Sequence, residues 1–147
     1  MKNKFYVQLF LVLSCLFVRS AYANYDISPV KLNLDDKNRM TSLQVKNNNT
    51  KEASFQITIL KKVKKKGHEV LEESKDIVIT PVIFHLPPKK SQLVRIALKG
   101  PVDVNSENQY TVSIKELPYR GPKKSSDSNT VQLITNFMVP LSTGKSK

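Results

Sequence analysis

Thr80–Leu98 reads TPVIFHLPPKKSQLVRIAL, and its punctuation decides the fold. A strand-like apolar run stops at Pro87-Pro88 and restarts as a second run that ends at Leu98. Two adjacent prolines cannot sit inside a helix or a central strand, because each lacks a backbone N–H and has a fixed φ. The stretch is therefore a corner between two β segments. Arg95 is expected on the buried side of the second one.

Working outward, the same period-two pattern recurs along the chain. Leu43 and Val45 alternate with Ser42, Gln44 and Lys46; Phe55, Ile57 and Ile59 alternate with Gln56 and Thr58. Val94, Ile96 and Leu98 form one set, and Tyr110, Val112 and Ile114 another. The last set is Val131, Leu133, Thr135, Phe137 and Val139. Successive strand side chains point to opposite faces, so each set marks the core face of a half-buried strand. Asn47-Asn48-Asn49, Lys66-Gly67, Gly100-Pro101 and Gly121-Pro122 separate the runs at short intervals. About seven short strands without a helical stripe predict an all-β, antiparallel β-sandwich, with a closed barrel as the second architecture. Residues 120–129, RGPKKSSDSN, read as a mobile loop before the final strand, Val131–Leu141.

The amino terminus reads as an export signal. Lys2 and Lys4 precede the apolar run Phe5–Val18, and Ala21-Tyr22-Ala23 supplies a small–x–small cleavage site. A rival cleavage before Cys15 would leave a lipid-bearing cysteine but strand Leu16–Ala23 as an apolar leader. The expected division is residues 1–23 as signal peptide, 24–141 as one domain and 142–147 as a polar tail. Cys15 is the only cysteine, so the exported domain has no disulfide and its core must hold the fold unaided.

The formal charge is +12, and loss of Lys2, Lys4 and Arg19 with the signal leaves +9. Such a balance suits acidic partners or a solvated, soluble surface, and the chain lacks the basic helix or aromatic platform of a nucleic-acid binder. The densest charge run, Lys61–Lys66 (KKVKKK), reads as an exposed hairpin tip and edge where lysines discourage aggregation. Polyanion docking is the other reading of that run. His68 and His85 have no metal-ligand spacing, so no metal is expected. With Gly only four times in the chain and no nucleophile motif, neither a phosphate loop nor a catalytic centre is expected, and no cofactor.

Six stretches together resemble the amino-terminal domain of periplasmic chaperones of the chaperone–usher pilus pathway. They are Ile27–Leu34 (ISPVKLNL), Met40–Asn48 (MTSLQVKNN), Ala53–Leu60 (ASFQITIL), Thr80–Ile96, Tyr110–Pro118 (YTVSIKELP) and Val131–Pro140 (VQLITNFMVP). The resemblance follows family order over nearly the whole chain after the signal. It implies an immunoglobulin-like sandwich in the periplasm. It also implies partners: pilus or fimbrial subunits that lack a strand, and an outer-membrane usher that receives them. The last strand would be lent to the subunit, with Val131, Leu133, Thr135, Phe137 and Val139 entering its groove. Lys31 would anchor the subunit's terminal carboxylate, where many relatives carry arginine. The family's second basic residue maps to Pro140, so that clamp is half present. The family's second sandwich domain has no counterpart before Lys147, which leaves a single-domain variant or a truncated chaperone. A secreted structural or adhesive β-sandwich is the alternative from another class.

Overall fold

Alternating burial is realised as ten strands among residues 23–101, 108–118 and 133–144, the part of the chain described by this computed structural model. In chain order these are β1 (Tyr25–Ser28), β2 (Leu32–Asp35), β3 (Met40–Asn47), β4 (Ala53–Lys65) and β5 (His68–Glu73). There follow β6 (Ile77–Thr80), β7 (Ile83–Leu86), β8 (Ser91–Leu98), β9 (Asn108–Leu117) and β10 (Asn136–Gly144). One sheet has the order β1-β3-β8-β6, and the other β2-β10-β9-β4-β5, with β7 also paired to β4. The two sheets stay separate, which makes the fold a sandwich and not a closed barrel. Every pairing is antiparallel except β2 with β10.

The strand number exceeds the expected seven for a physical reason. Pro29 divides β1 from β2, and Pro81 divides β6 from β7; both Ser28–Pro29 and Thr80–Pro81 are cis. A proline cannot donate to a ladder, so each edge strand ends there and its continuation joins the opposite sheet. The basic run adds a further strand pair by extending β4 into a hairpin with β5. Its two-residue turn is Lys66–Gly67 with φ of 49° and 82°, the mirror-image turn whose twist suits a hairpin.

The core follows the alternation. Leu43, Val45, Phe55, Ile57, Ile59, Val94, Ile96, Val112 and Ile114 are all essentially buried, each large side chain contributing about 1.5–3 kcal/mol. Arg95 corrects the expectation of a buried-side arginine: it is exposed, opposite Ser42 and Thr80, because Val94 and Ile96 take the inward positions on either side. The Pro87-Pro88 corner stands as expected between β7 and β8. Lys90 N–H donates to Pro87 O at 3.3 Å, with Lys89 at φ 59° in the third position of the turn. Beside that corner, buried Asn47 ties three segments together. Its Nδ2 donates to Lys51 O (2.8 Å), Leu86 O (3.1 Å) and Pro87 O (3.4 Å), while Oδ1 accepts Asn49 N–H at 2.9 Å.

Candidate functional site

The final strand begins later and ends later than its sequence suggests. Leu133–Thr135 are not in a strand, and β10 runs from Asn136 through Gly144, three residues past Leu141. The extension forms because Leu141–Gly144 lie parallel to Leu32–Asp35 of β2, which buries Thr143. On its other side β10 pairs with β9 from Asn136 to Thr143. The two neighbours therefore overlap only in part. Residues 136–140 have β9 on one edge and, among the described residues, no strand on the other.

Which backbone groups face that free edge follows from ladder geometry. Glu116 N–H donates to Thr135 O at 2.8 Å, so Thr135 faces β9, as do Phe137 and Val139 by alternation. Asn136, Met138 and Pro140 then aim their backbone groups away from β9. Pro140, which lacks a donor, sits in the register where none is required by β9. Lys31 is exposed at the bend immediately before Leu32, so it lies where β2 begins and the free edge ends.

The side chains of the expected donor face divide sharply. Val139 is buried at 5% exposure, and Phe137 is half-buried against the core with its ring edge-on to Tyr25 at 6.1 Å. Thr135 is half-buried at the end of the sandwich. Leu133 is 86% exposed, beyond the last layer of core residues. Val131 lies outside the described residues, as does the signal peptide expected over residues 1–23, apart from Ala23. Ile134 and Met138 add exposed apolar surface on the opposite face.

At the boundary between buried and exposed parts lies a polar cluster that sequence reading did not single out. Tyr25 OH donates to Glu116 Oε1 at 2.6 Å, and Thr135 N–H donates to Glu116 Oε2 at 3.3 Å. Tyr25 also packs edge-on against Phe55 at 5.1 Å. Burial, reinforced by the Glu116 carboxylate, pushes the Tyr25 phenol up to about 12. Tyr25 and Glu116 are 91 positions apart, and only the pairing of β9 with β10 brings Thr135 beside them. The KELP stretch carried Glu116, but nothing in its spacing marked the carboxylate.

Two other clusters bear on the chemistry. Lys61 Nζ and Tyr110 OH both donate to Asp76 Oδ2, at 3.1 and 3.0 Å, and hold the Asp76 carboxyl below the ordinary aspartate range. Lys62–Glu69 (2.6 Å) and Lys65–Glu72 ion pairs cross the β4–β5 hairpin, so part of the basic run is neutralised locally. A serine, a histidine and a glutamate do meet, contrary to the absence of such a motif in sequence. His85 Nδ1 lies 3.3 Å from Ser54 Oγ, and Nε2 lies 3.1 Å from Glu52 Oε2. They occupy an open sheet face, with Ser54 flanked by β7 and β9 on its two edges. Ladder pairing on both sides commits the local backbone N–H groups that an oxyanion hole would need, so the cluster fastens β7 to β4.

Among the described residues no helix is long and apolar enough to cross a membrane, and no group of His, Cys, Asp and Glu is placed to hold a metal ion. No curated protein sequence matches the chain. Solved structures share its architecture. In the complex of the CsuC chaperone with the CsuE tip adhesion subunit from Acinetobacter baumannii, the match has a TM-score of 0.70 at 14% identity. It covers 84% of this chain and 57% of that one. The Salmonella enterica SafA pilin–SafB chaperone complex matches at TM-score 0.64 and 16% identity, covering 86% and 57%. The E. coli chaperone DraB matches at TM-score 0.62 and 18% identity, covering 82% and 55%. The chain thus spans a little over half the length of the solved chains it resembles. Residues 25–142 match the family described as pili and flagellar-assembly chaperone, PapD N-terminal domain, and on that match the chain belongs to this family.

Proposed function

We propose that the chain is a periplasmic chaperone that holds incomplete pilus or fimbrial subunits by lending them its last strand, for delivery to an outer-membrane usher. The single observation that carries this reading is the free edge of β10. Asn136 and Met138 direct backbone groups outward, and an exposed apolar arm at Leu133 continues the line of the strand. A subunit lacking a strand exposes an apolar groove and an unpaired sheet edge, both aggregation hazards. Pairing along the free edge satisfies the backbone while alternate side chains fill the groove.

Of the proposed donor set Val131, Leu133, Thr135, Phe137 and Val139, Leu133 is exposed and Thr135 half-buried, which supports their entry into the groove. Phe137 and Val139 root the same face in this domain's own core. Lys31, at the end of the free edge, is the group assigned to the subunit's terminal carboxylate. The solved relatives in complex with a tip adhesin or a pilin support the partner class, and the relative described as the periplasmic chaperone SfaE supports the compartment.

The test is co-expression of the full chain with a pilus subunit in a periplasm, scoring a soluble one-to-one complex. Leu133→Asp should abolish the complex and leave the free domain folded. An undiminished complex with this variant would remove the last strand from the mechanism. Phe137 is unsuitable for the purpose, because a charge beside the Tyr25 ring would disrupt the fold itself.

A further inference from the structure

We infer that Glu116, steadied by Tyr25, is a positioning residue that separates the part of the last strand whose side chains pack in its own core from the part whose side chains are lent to a partner. The inference rests on the strand-donation reading above and names the group that sets where side-chain donation begins. Three observations carry it. Glu116 stands on the inward face of β9, one alternation beyond buried Ile114, at the end of the sandwich. Its backbone N–H makes the ladder bond to Thr135 O, while its carboxylate takes the Thr135 N–H that an ordinary ladder would give to a backbone carbonyl. The carboxylate's other oxygen is held at 2.6 Å by Tyr25 OH, from the opposite sheet.

The consequence is a defined root for the arm. Pro118 follows two residues after Glu116 and has no N–H, so β9 cannot extend the ladder beyond this point. Thr135 is therefore the last residue tied to β9, and Leu133 projects past it into solvent. Tyr25, packed on Phe55 and Phe137, closes the end of the core. One strand face is thus divided at a polar joint, with Phe137 and Val139 inside and Leu133 outside. Fixing the joint before a partner arrives lowers the ordering cost of strand addition, and it speeds capture because less rearrangement has to accompany association.

The experiment compares wild type, Glu116→Ala, Glu116→Gln and Tyr25→Phe in the purified full chain. Amide exchange is read residue by residue, and capture is timed with a recombinant pilus subunit diluted from denaturant. In Glu116→Ala the Thr135 amide should exchange about tenfold faster with Phe137 and Val139 unchanged, and capture should slow about tenfold. Tyr25→Phe, which keeps the ring packing, should give the same pattern more weakly. Glu116→Gln should fall between wild type and alanine, since its amide can serve only one of the two donors as an acceptor. Unchanged Thr135 exchange, or unchanged capture rates across the series, would overturn the positioning role. A uniform rise in exchange throughout β10 would also overturn it, by making the pair a general stabiliser. Leu133→Asp run alongside separates the two readings: capture lost there but intact in Glu116→Ala leaves strand donation standing and sinks only this inference.

Discussion

Leu133 and Val139 lie on one face of one stretch of chain, yet one is 86% exposed and the other 5%, so alanine at each should move a different observable. At Leu133 there is almost nothing to lose in the free domain, and the stability change should stay within about 0.5 kcal/mol. In the proposed complex the same side chain enters the subunit's groove, and its removal should forfeit about 1.5–3 kcal/mol, or roughly 10- to 150-fold in affinity. At Val139 the balance reverses. Truncation opens space beside Val112 and costs about 1–3 kcal/mol, lowering the melting temperature by roughly 5–10 °C. Thermal unfolding followed by circular dichroism reads the first quantity, and size-exclusion capture of a subunit diluted from denaturant reads the second. Below its melting range Val139→Ala should capture nearly as well as wild type. Capture unimpaired in Leu133→Ala but lost in folded Val139→Ala would refute the division of the strand into rooted and lent parts.

Three further outcomes follow from the structure. Asn47→Ala should cost about 3 kcal/mol, seen as a lower urea midpoint, because a fully buried amide leaves two well-made carbonyl bonds and the Asn49 N–H unserved; a loss under about 1 kcal/mol would show that these groups find water. The Asp76 carboxyl is held below its ordinary value, first by the Lys61 hydrogen bond and then by Tyr110. Its contribution is therefore complete above the unfolded value of 3.8 and is lost as pH falls through the lower folded one, so the stability gap to Asp76→Asn should narrow only in strongly acidic solution. A gap that is flat with pH would refute the assignment. Finally, Lys64→Gln with Lys66→Asn should leave both melting temperature and subunit capture nearly unchanged, since both lysines are exposed at the hairpin tip, glutamine puts no like charge opposite Glu69, and asparagine tolerates the positive φ. A loss of capture with a weaker salt dependence would assign the tip to partner docking.

Much of the sandwich could be read in the chain itself, and the physical reason is local. Alternation at Phe55, Ile57 and Ile59 or at Val94 and Ile96 needs only neighbouring residues to be visible, and Pro87-Pro88 announces its corner without help. Arg95 follows from the same local rule: Val94 and Ile96 claim the inward side, so the residue between them faces solvent. Features that depend on where one segment ends against another were hidden. Nothing within Val131–Val139 says that the core stops at Thr135, because that limit is set by Tyr25 and Glu116 from distant parts of the chain. The transfer of β2 and β7 to the opposite sheet was likewise invisible, although Pro29 and Pro81 mark both crossings in retrospect. His85 gained Ser54 and Glu52 as neighbours only through the register of β7 on β4.

Pro140 gives the exposed margin of β10 a built-in length limit. A guest chain advancing along that margin meets amide donors at Asn136 and Met138, then a position that can offer none, and directly afterwards the parallel segment that starts at Leu32. From Asn136, where β10 begins, to that point is roughly 13 Å of extended backbone. In the proposed complex the carboxyl end of the overlap is therefore fixed here, because no donor follows Met138 on this margin before β2 occupies it.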